Sequence, residues 1–379
     1  MEQTSWRACR RLMILPALAL FPALSKAQGL SERLVIHGYL AQGYANTSGE
    51  KILGIPNDGT FDYRRAALLF RFKGTPNDAF VVQLASRRLG ESPINDFTPE
   101  VQLDWAFYER RFGDNGTLRI GKAPIPMGIS NETRFQGTLL PFYRVPYGFY
   151  QEGGFTSETL NGAILTRKLN PGSPWLLSGA LFAGEFDYLQ AASIPTADTS
   201  TTATFVVVNA RAKNLLGAQF WLQTPLTGLR IGAGAARRED EGPLLSLISG
   251  SGATKELWAS VDGSFDRLTI RSEYRRVGFG TGGAVYKTNY EQVGYRIIEP
   301  LLISVQRDVT DLFIQTPGGP FAIPYARDYA LGVAYTFAPN VVAKLEFHDA
   351  DVYSNEAVVN FGGPPNQNRY TILSVSVAF

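Results

Sequence analysis

The feature that most constrains the fold is a regular alternation of large apolar side chains with small or polar ones. Over residues 329–337 the large apolar positions are Tyr329, Leu331, Val333, Tyr335 and Phe337. The same two-residue period runs through 341–348 and 373–379. A period of two is that of a β-strand, whose successive side chains point to opposite faces of a sheet. The chain is therefore predicted to be all-β.

Alternation alone does not choose between two architectures. In a soluble sandwich the apolar face is buried between sheets, whereas in a transmembrane β-barrel it faces lipid. The segments repeat without a linker, a charge block or a low-complexity tract between them. This continuity favours one transmembrane antiparallel barrel, and a two-sheet soluble architecture stays open as the alternative.

Residues 1–27 have the layout of a secretory signal peptide. Arg7, Arg10 and Arg11 precede an apolar stretch from 12 to 24, and Ser25 and Ala27 put small residues at the −3 and −1 positions of a cleavage site. The stretch is too short to cross about 30 Å of hydrocarbon as a helix. We therefore expect residues 28–379 to be an exported barrel domain in the outer membrane of a Gram-negative cell.

The composition of the exported part narrows the function. Cys9, the only cysteine, lies in the leader. Of 36 Lys and Arg and 34 Asp and Glu, the leader holds four basic residues and one acid, which leaves 32 against 33. This balance gives no sign of nucleic-acid binding. Because His37 and His348 are the only histidines, a histidine-dependent enzyme is poorly supported, and no metal or cofactor is predicted.

Loop lengths fix the number of strands. Short turns such as 74–78, 113–115 and 338–340 fall at alternate connections, as periplasmic turns do. The series is consistent only if Thr204 to Arg211 is an external loop or a short helix. About sixteen strands remain, enough to leave an aqueous lumen. They are predicted at 34–45, 60–73, 79–88, 101–112, 116–122, 159–168, 175–184, 213–223, 228–238, 254–264, 266–276, 285–298, 300–308, 326–338, 341–349 and 368–379.

Three segments resemble a known family. They are 101–107 (VQLDWAF), 118–128 (LRIGKAPIPMG) with the following SNETRF of 130–135, and the turn 224–232 (TPLTGLRIG). This chain is similar to the outer-membrane porin superfamily that includes phosphate-selective O/P-type porins and many general porins, closely over about 80–145 and loosely elsewhere. The resemblance implies a homotrimer and, from the terminal Phe379, insertion by the barrel-assembly machinery.

The longest connection, 123–158, is the third external loop by this strand count. The resemblance implies that it folds into the lumen and forms a constriction, which would place Glu132, Arg134 and Arg144 at the edge of the pore. The alternative is an external cap packed by the aromatic residues of 141–150. Long loops without alternation of their own usually carry function.

Strand parity assigns side chains to the lumen. In the fourth strand Val101, Leu103, Trp105 and Phe107 are expected to face lipid, which turns the intervening residues inward. The predicted lumen-facing charges next to the long loop are Arg65, Arg71, Arg87, Asp104, Arg110 and Arg119. This arginine ladder would favour anions, although arginines that only keep the lumen wet would show the same pattern.

The sequence thus predicts a porin that contacts outer-membrane lipids and passes small hydrophilic solutes by passive diffusion, with a weak preference for anions. A channel specific for phosphate or another anion is one alternative. A barrel with an adhesive or structural role is another.

Overall fold

The strands of the computed structural model form one closed antiparallel barrel. The structure describes residues 33–150, 158–195, 202–242, 252–280, 283–316, 319–352, 359–360 and 366–379, so the predicted leader lies outside it. Each long strand pairs with its neighbours in sequence, and the first pairs with the last through Tyr39 opposite Ala378. The prediction of a sixteen-stranded antiparallel barrel is confirmed.

The strands are long, and one short strand adds to them outside the barrel wall. The bounds are β1 Leu34–Thr47, β2 Thr60–Thr75, β3 Asp78–Leu89, β4 Gln102–Phe112, β5 Gly116–Pro124, β6 Thr159–Lys168, β7 Leu176–Pro195, β8 Thr202–Gln223, β9 Leu229–Glu241, β10 Thr254–Phe265, β11 Leu268–Gly278, β12 Ala284–Ile298, β13 Leu301–Thr316, β14 Gly319–Ala338, β15 Val341–Val352, β16 Val359–Asn360 and β17 Asn366–Ala378. The short β16 pairs with the start of β8.

Among the residues described between the first and last strands, the helical segments are short turns in the external connections. They are the 3-10 turns Pro93–Asp96 and Asn131–Thr133 and the single-turn helix α1, Tyr147–Tyr150. Among the described residues no helix has the length and hydropathy needed to cross a bilayer.

The outer surface carries the apolar side chains that the alternation predicted. Leu331, Tyr335 and Phe337 of β14 are exposed, as are Leu373 and Val375 of β17. An isolated barrel exposes such residues because its partner is the hydrocarbon of a membrane. The predicted lipid-facing parity of these strands is confirmed.

The prediction of a loop or helix at Thr204 to Arg211 is wrong. These residues belong to β8 and pair with β7 from Pro195 opposite Ala203 down to Asp187 opposite Arg211. The register shifts between Lys213 and Leu216, where Asn214 has a positive φ of 51°. A bulge of this kind moves the following side chains to the other face. One long strand therefore appeared in the sequence as two segments out of phase.

Candidate functional site

The third external loop lies inside the barrel. We call residues 125–158 the inward loop, of which 125–150 and 158 are described. Gly128 donates its backbone N–H to Oε1 of Gln219 near the periplasmic end of β8, at 2.7 Å. Ile129 donates its N–H to Oε1 of Glu273 on β11, at 2.9 Å. From its base at β5 and β6 the loop therefore reaches β8, two strands away around the barrel, and β11, five strands away.

A second set of bonds holds the tip of the loop. The N–H of Gly148 reaches Oδ2 of Asp308 on β13 at 2.8 Å, and that of Tyr143 reaches Oε1 of Glu346 on β15 at 2.5 Å. Lys344, the neighbour of Glu346 on the same face of β15, donates to the carbonyls of residues 137 and 142 at 2.6 and 3.0 Å. These wall residues bind the backbone of the loop.

Buried polar groups complete this attachment on β11. Arg275 donates Nη1 to the carbonyl of Phe149 at 2.6 Å and also pairs with Glu256. The Tyr150 hydroxyl donates to Oε2 of Glu273 at 2.6 Å and accepts the N–H of residue 130. Burial and the adjacent Glu273 raise the pKa of Tyr150 well above its usual range, so the hydroxyl keeps its proton and remains a donor.

The sequence alone indicated no role for Glu273, Arg275, Lys344 or Glu346. Asp308 was missed because its strand was predicted to end there. Parity was the available signal for Lys344 and Glu346, which alternate with the apolar residues Ala343, Leu345 and Phe347. It shows that a side chain points inward, but it cannot show that a distant loop reaches it.

On the opposite side, the predicted arginines form ion-pair networks. Arg71 and Arg119 both pair with Glu109, at 2.6 and 3.1 Å. Arg119 also reaches Glu132 of the inward loop at 3.0 Å. Because Glu109 is almost fully buried, its charge depends on these two partners.

A second network connects β3 to both ends of the loop. Arg87 donates to Oε1 of Glu158 at 2.8 Å, and Arg134 lies 3.3 Å from the same oxygen. Arg65 donates to the carbonyl of Arg134 and lies 4.9 Å from the ring of Tyr143. The structure thus brings three predicted residues, Arg65, Arg87 and Arg134, to one side of the loop.

Two further predicted loop and strand residues have local partners. Arg144 donates to the Tyr63 hydroxyl at 2.9 Å. Asp104 is buried and accepts a hydrogen bond from Gln83 at 2.6 Å. The sequence analysis predicted Asp104 in the lumen and Arg144 at the edge of the pore.

Arg110 is the exception, and its predicted inward orientation is wrong. Across β3 and β4 the register shifts so that Gln83 opposes Trp105 while Leu84 opposes Leu103, which leaves Asp104 as a bulge residue. After Asp104, each residue of β4 therefore points to the face of the sheet opposite to the one that parity predicted. Arg110, exposed and paired with Asp78 at 2.7 Å, therefore lies on the outer face.

Because of the same bulge, the predicted lipid-facing orientation of Trp105 and Phe107 is wrong. Phe107 is buried among lumen side chains, and Trp105 packs against the same cluster. The guanidinium of Arg119 lies 5.3 Å from the ring of Phe107. Val101 and Leu103, before the bulge, are exposed as predicted.

Two cavities flank the base of the inward loop. The extracellular cavity, about 300 Å³, is bordered by the external ends of β3 to β8 and by Arg87, Arg134 and Glu158. The periplasmic cavity, about 480 Å³, is bordered by the internal ends of β5 to β9 and by Glu132. Charged residues line both cavities, which suits them to hydrated solutes.

Comparisons with known proteins identify the fold. No protein-family description and no curated protein sequence matches this chain. Among solved structures, OmpF of Salmonella typhi in complex with daunomycin matches with a TM-score of 0.62 at 9% identity, over 91% of this chain and 97% of that chain. The outer-membrane channel DcaP of Acinetobacter baumannii gives 0.57 at 10% identity, again over 91% and 97%.

An anion-selective porin from Comamonas acidovorans also matches, with a TM-score of 0.54 at 11% identity over 91% of this chain and 99% of that chain. At such low identities these likenesses concern the fold alone. The fold of this chain is that of the outer-membrane porins.

Proposed function

We propose that the chain forms a channel for the passive diffusion of small hydrophilic solutes across the outer membrane, with a weak preference for anions. The observation that carries the proposal is the pair of charged cavities on opposite sides of a loop held within a closed barrel. The likeness in fold to solved porins supports it. The exposed apolar side chains on the outer surface fit a barrel that contacts outer-membrane lipids. Export would be directed by the predicted leader, residues 1–27.

The anion preference rests on the charges on the β2–β5 side of the loop. Their basic members are Arg65, Arg71, Arg87, Arg119 and Arg134, and their acidic members are Asp104, Glu109, Glu132 and Glu158. Five cations against four carboxylates leave a small positive excess. In a narrow water-filled passage with low-dielectric walls, such an excess attracts anions.

An enzyme remains the rival class, and the surroundings of His348 bear on it. Its Nδ1 lies 3.0 Å from Asp328, and its ring stacks on Tyr370 at 4.2 Å. Glu346 is its other ionic neighbour. Two carboxylates and a tyrosine around His348 are typical of a structural histidine. In a serine hydrolase the histidine must instead contact a hydroxyl nucleophile.

Reconstitution in planar bilayers tests the proposal. We expect discrete single-channel conductances, with one to three steps for each insertion if the protein is a homotrimer. Addition of phosphate should leave the chloride current unchanged. Block by phosphate would favour the specific anion channel, and a folded barrel without conductance would favour the structural or adhesive role.

Removal of Phe379 should impair membrane insertion. Its backbone exchanges two hydrogen bonds with Gly38 of β1, at 2.8 and 3.0 Å, and its ring lies over that glycine. The residue thus completes the seam between the first and last strands. Pulse labelling should show that deletion of Phe379 lowers the heat-modifiable, membrane-integrated fraction several-fold. Alanine at exposed Phe337, near the same end of the barrel, is the matched control.

A further inference from the structure

Along the strands of the barrel wall, the two cavities do not meet: a short stretch of each strand lies between them. On β6 the extracellular cavity is bordered by 159 and 161 and the periplasmic cavity by 166–168. On β7 the corresponding positions are 186–189 and 178–180. The inward-facing residues between them are Ile164 on β6 and Phe182 on β7.

Apolar side chains fill this height. Ile164 and Phe182 are each only 2% exposed. They belong to one buried cluster that includes the base of the inward loop. We call six members of this cluster the apolar septum: Ile125, Met127, Leu160, Ile164, Phe182 and Leu215.

We propose that the apolar septum, rather than the arginine networks, is the constriction of the channel. The proposal rests on the proposed channel function and locates its passage between the base of the loop and strands β6 and β7. Water leaves an apolar gap of molecular width readily, so such a constriction hinders strongly hydrated ions until the side chains part. Its residues would therefore set the conductance and the size limit for solutes.

The opposite side of the loop is a poor place for a passage. There the loop backbone is bonded to the buried carboxylates of Glu273, Asp308 and Glu346. Separating the loop from these carboxylates would leave buried charges and N–H groups without hydrogen-bond partners. At the septum, parting the side chains exposes only apolar surface.

The chain contains a matched control for Phe182. In the β7–β8 pair, Phe182 opposes Gly217 and Phe220 opposes Gly179. Each phenylalanine ring lies over its opposing glycine. Phe182 is buried in the lumen, whereas Phe220 is 42% exposed on the outer surface. The two rings share strands and local geometry and differ in the face that they occupy.

Single-channel recordings of four proteins test the proposal: the wild type, Met127→Ala, Phe220→Ala and the double variant Met127→Ala/Phe182→Ala. Heat-modifiable migration confirms that each is folded. We expect conductance to rise several-fold in the double variant and less in Met127→Ala, which keeps the wall intact. Phe220→Ala should conduct like the wild type.

Three results would overturn the proposal. Equal conductance in the wild type and the double variant would leave the channel function standing and place the constriction elsewhere. An equal rise in Phe220→Ala would indicate general loosening of the barrel. If neither the folded wild type nor the folded double variant conducts, the septum and the channel function both fail.

Discussion

The inward loop meets two different surfaces. Toward β11, β13 and β15 its backbone is held by hydrogen bonds, including those to Glu273, Asp308 and Lys344. Toward β6 and β7 its base packs Ile125 and Met127 against apolar side chains. The hydrogen bonds of the first surface fix the position and orientation of the loop. The apolar packing of the second surface has no directional contacts and only excludes water.

This difference predicts where the lumen opens. A hydrogen bond to a charged group contributes about 1.5–3 kcal/mol, and a buried group left without its partner costs a comparable amount. Exposure of about 100 Å² of apolar surface costs about 2.5 kcal/mol, at about 25 cal/mol per Å². Several bonds must break together on the first surface, so the apolar side is the cheaper one to part.

The largest effect is expected at Glu273. Its carboxylate accepts hydrogen bonds from Ile129, Tyr150, Ser260 and Tyr290 at 2.6–2.9 Å. Glu273→Ala leaves these buried donors without an acceptor and should lower the free energy of unfolding by about 3–5 kcal/mol, since each unsatisfied buried donor costs about 1–3 kcal/mol. Urea titration of the protein in lipid vesicles measures this change. A wild-type unfolding midpoint would show that the bonded surface does not hold the loop.

A smaller effect is expected on the apolar side. A Cβ at position 217 would lie 2.2 Å from the ring of Phe182, whereas one at 179 would lie 2.8 Å from the ring of Phe220. Gly217→Ala should therefore push Phe182 into the septum and lower the conductance about twofold, as a narrower gap holds less water. Gly179→Ala, which acts on the outer face, is the control. Equal conductances in all three proteins would contradict a septum at Phe182.

The arginines should affect selectivity more weakly. Arg87→Gln/Arg119→Gln removes two charges from the ion-pair networks and should move the reversal potential in a salt gradient toward cations. The shift should fade at high salt, since the Debye length falls from about 10 Å at 0.1 M to about 3 Å at 1 M. Lys255→Gln, on the outer face of β10, should cause no shift. An unchanged potential at low salt in the double variant would remove these arginines from the solute's path.

Local periodicity predicted most of the fold. Alternation identified the lipid-facing residues of β14 and β17, and turn spacing gave the number of strands. It failed at two bulges, near Asp104 and Asn214, because one extra residue exchanges the faces of everything that follows. That is why Arg110 and Phe107 were assigned to the wrong sides.

The site was less predictable than the fold. Parity placed Arg87 and Arg119 in the lumen, but their partners Glu158 and Glu109 come from a loop and from beyond a bulge. Contacts such as Gly148 with Asp308 join residues 160 positions apart. No local pattern encodes such a contact, because it depends on how the closed barrel directs the loop across its lumen.

The most direct test locks the loop to its bonded surface. A Cβ at position 148 would lie 2.5 Å from Oδ1 of Asp308, so the cysteines of Gly148→Cys/Asp308→Cys fall within reach of a disulfide. Gly148→Cys/Ser178→Cys, whose second position borders the periplasmic cavity, is the pair expected to stay reduced. The measurement is single-channel conductance before and after a reductant. We expect the first pair to form its disulfide and to conduct equally in both states, because solutes pass on the other side of the loop. Two free thiols, or a conductance that rises on reduction, would contradict it.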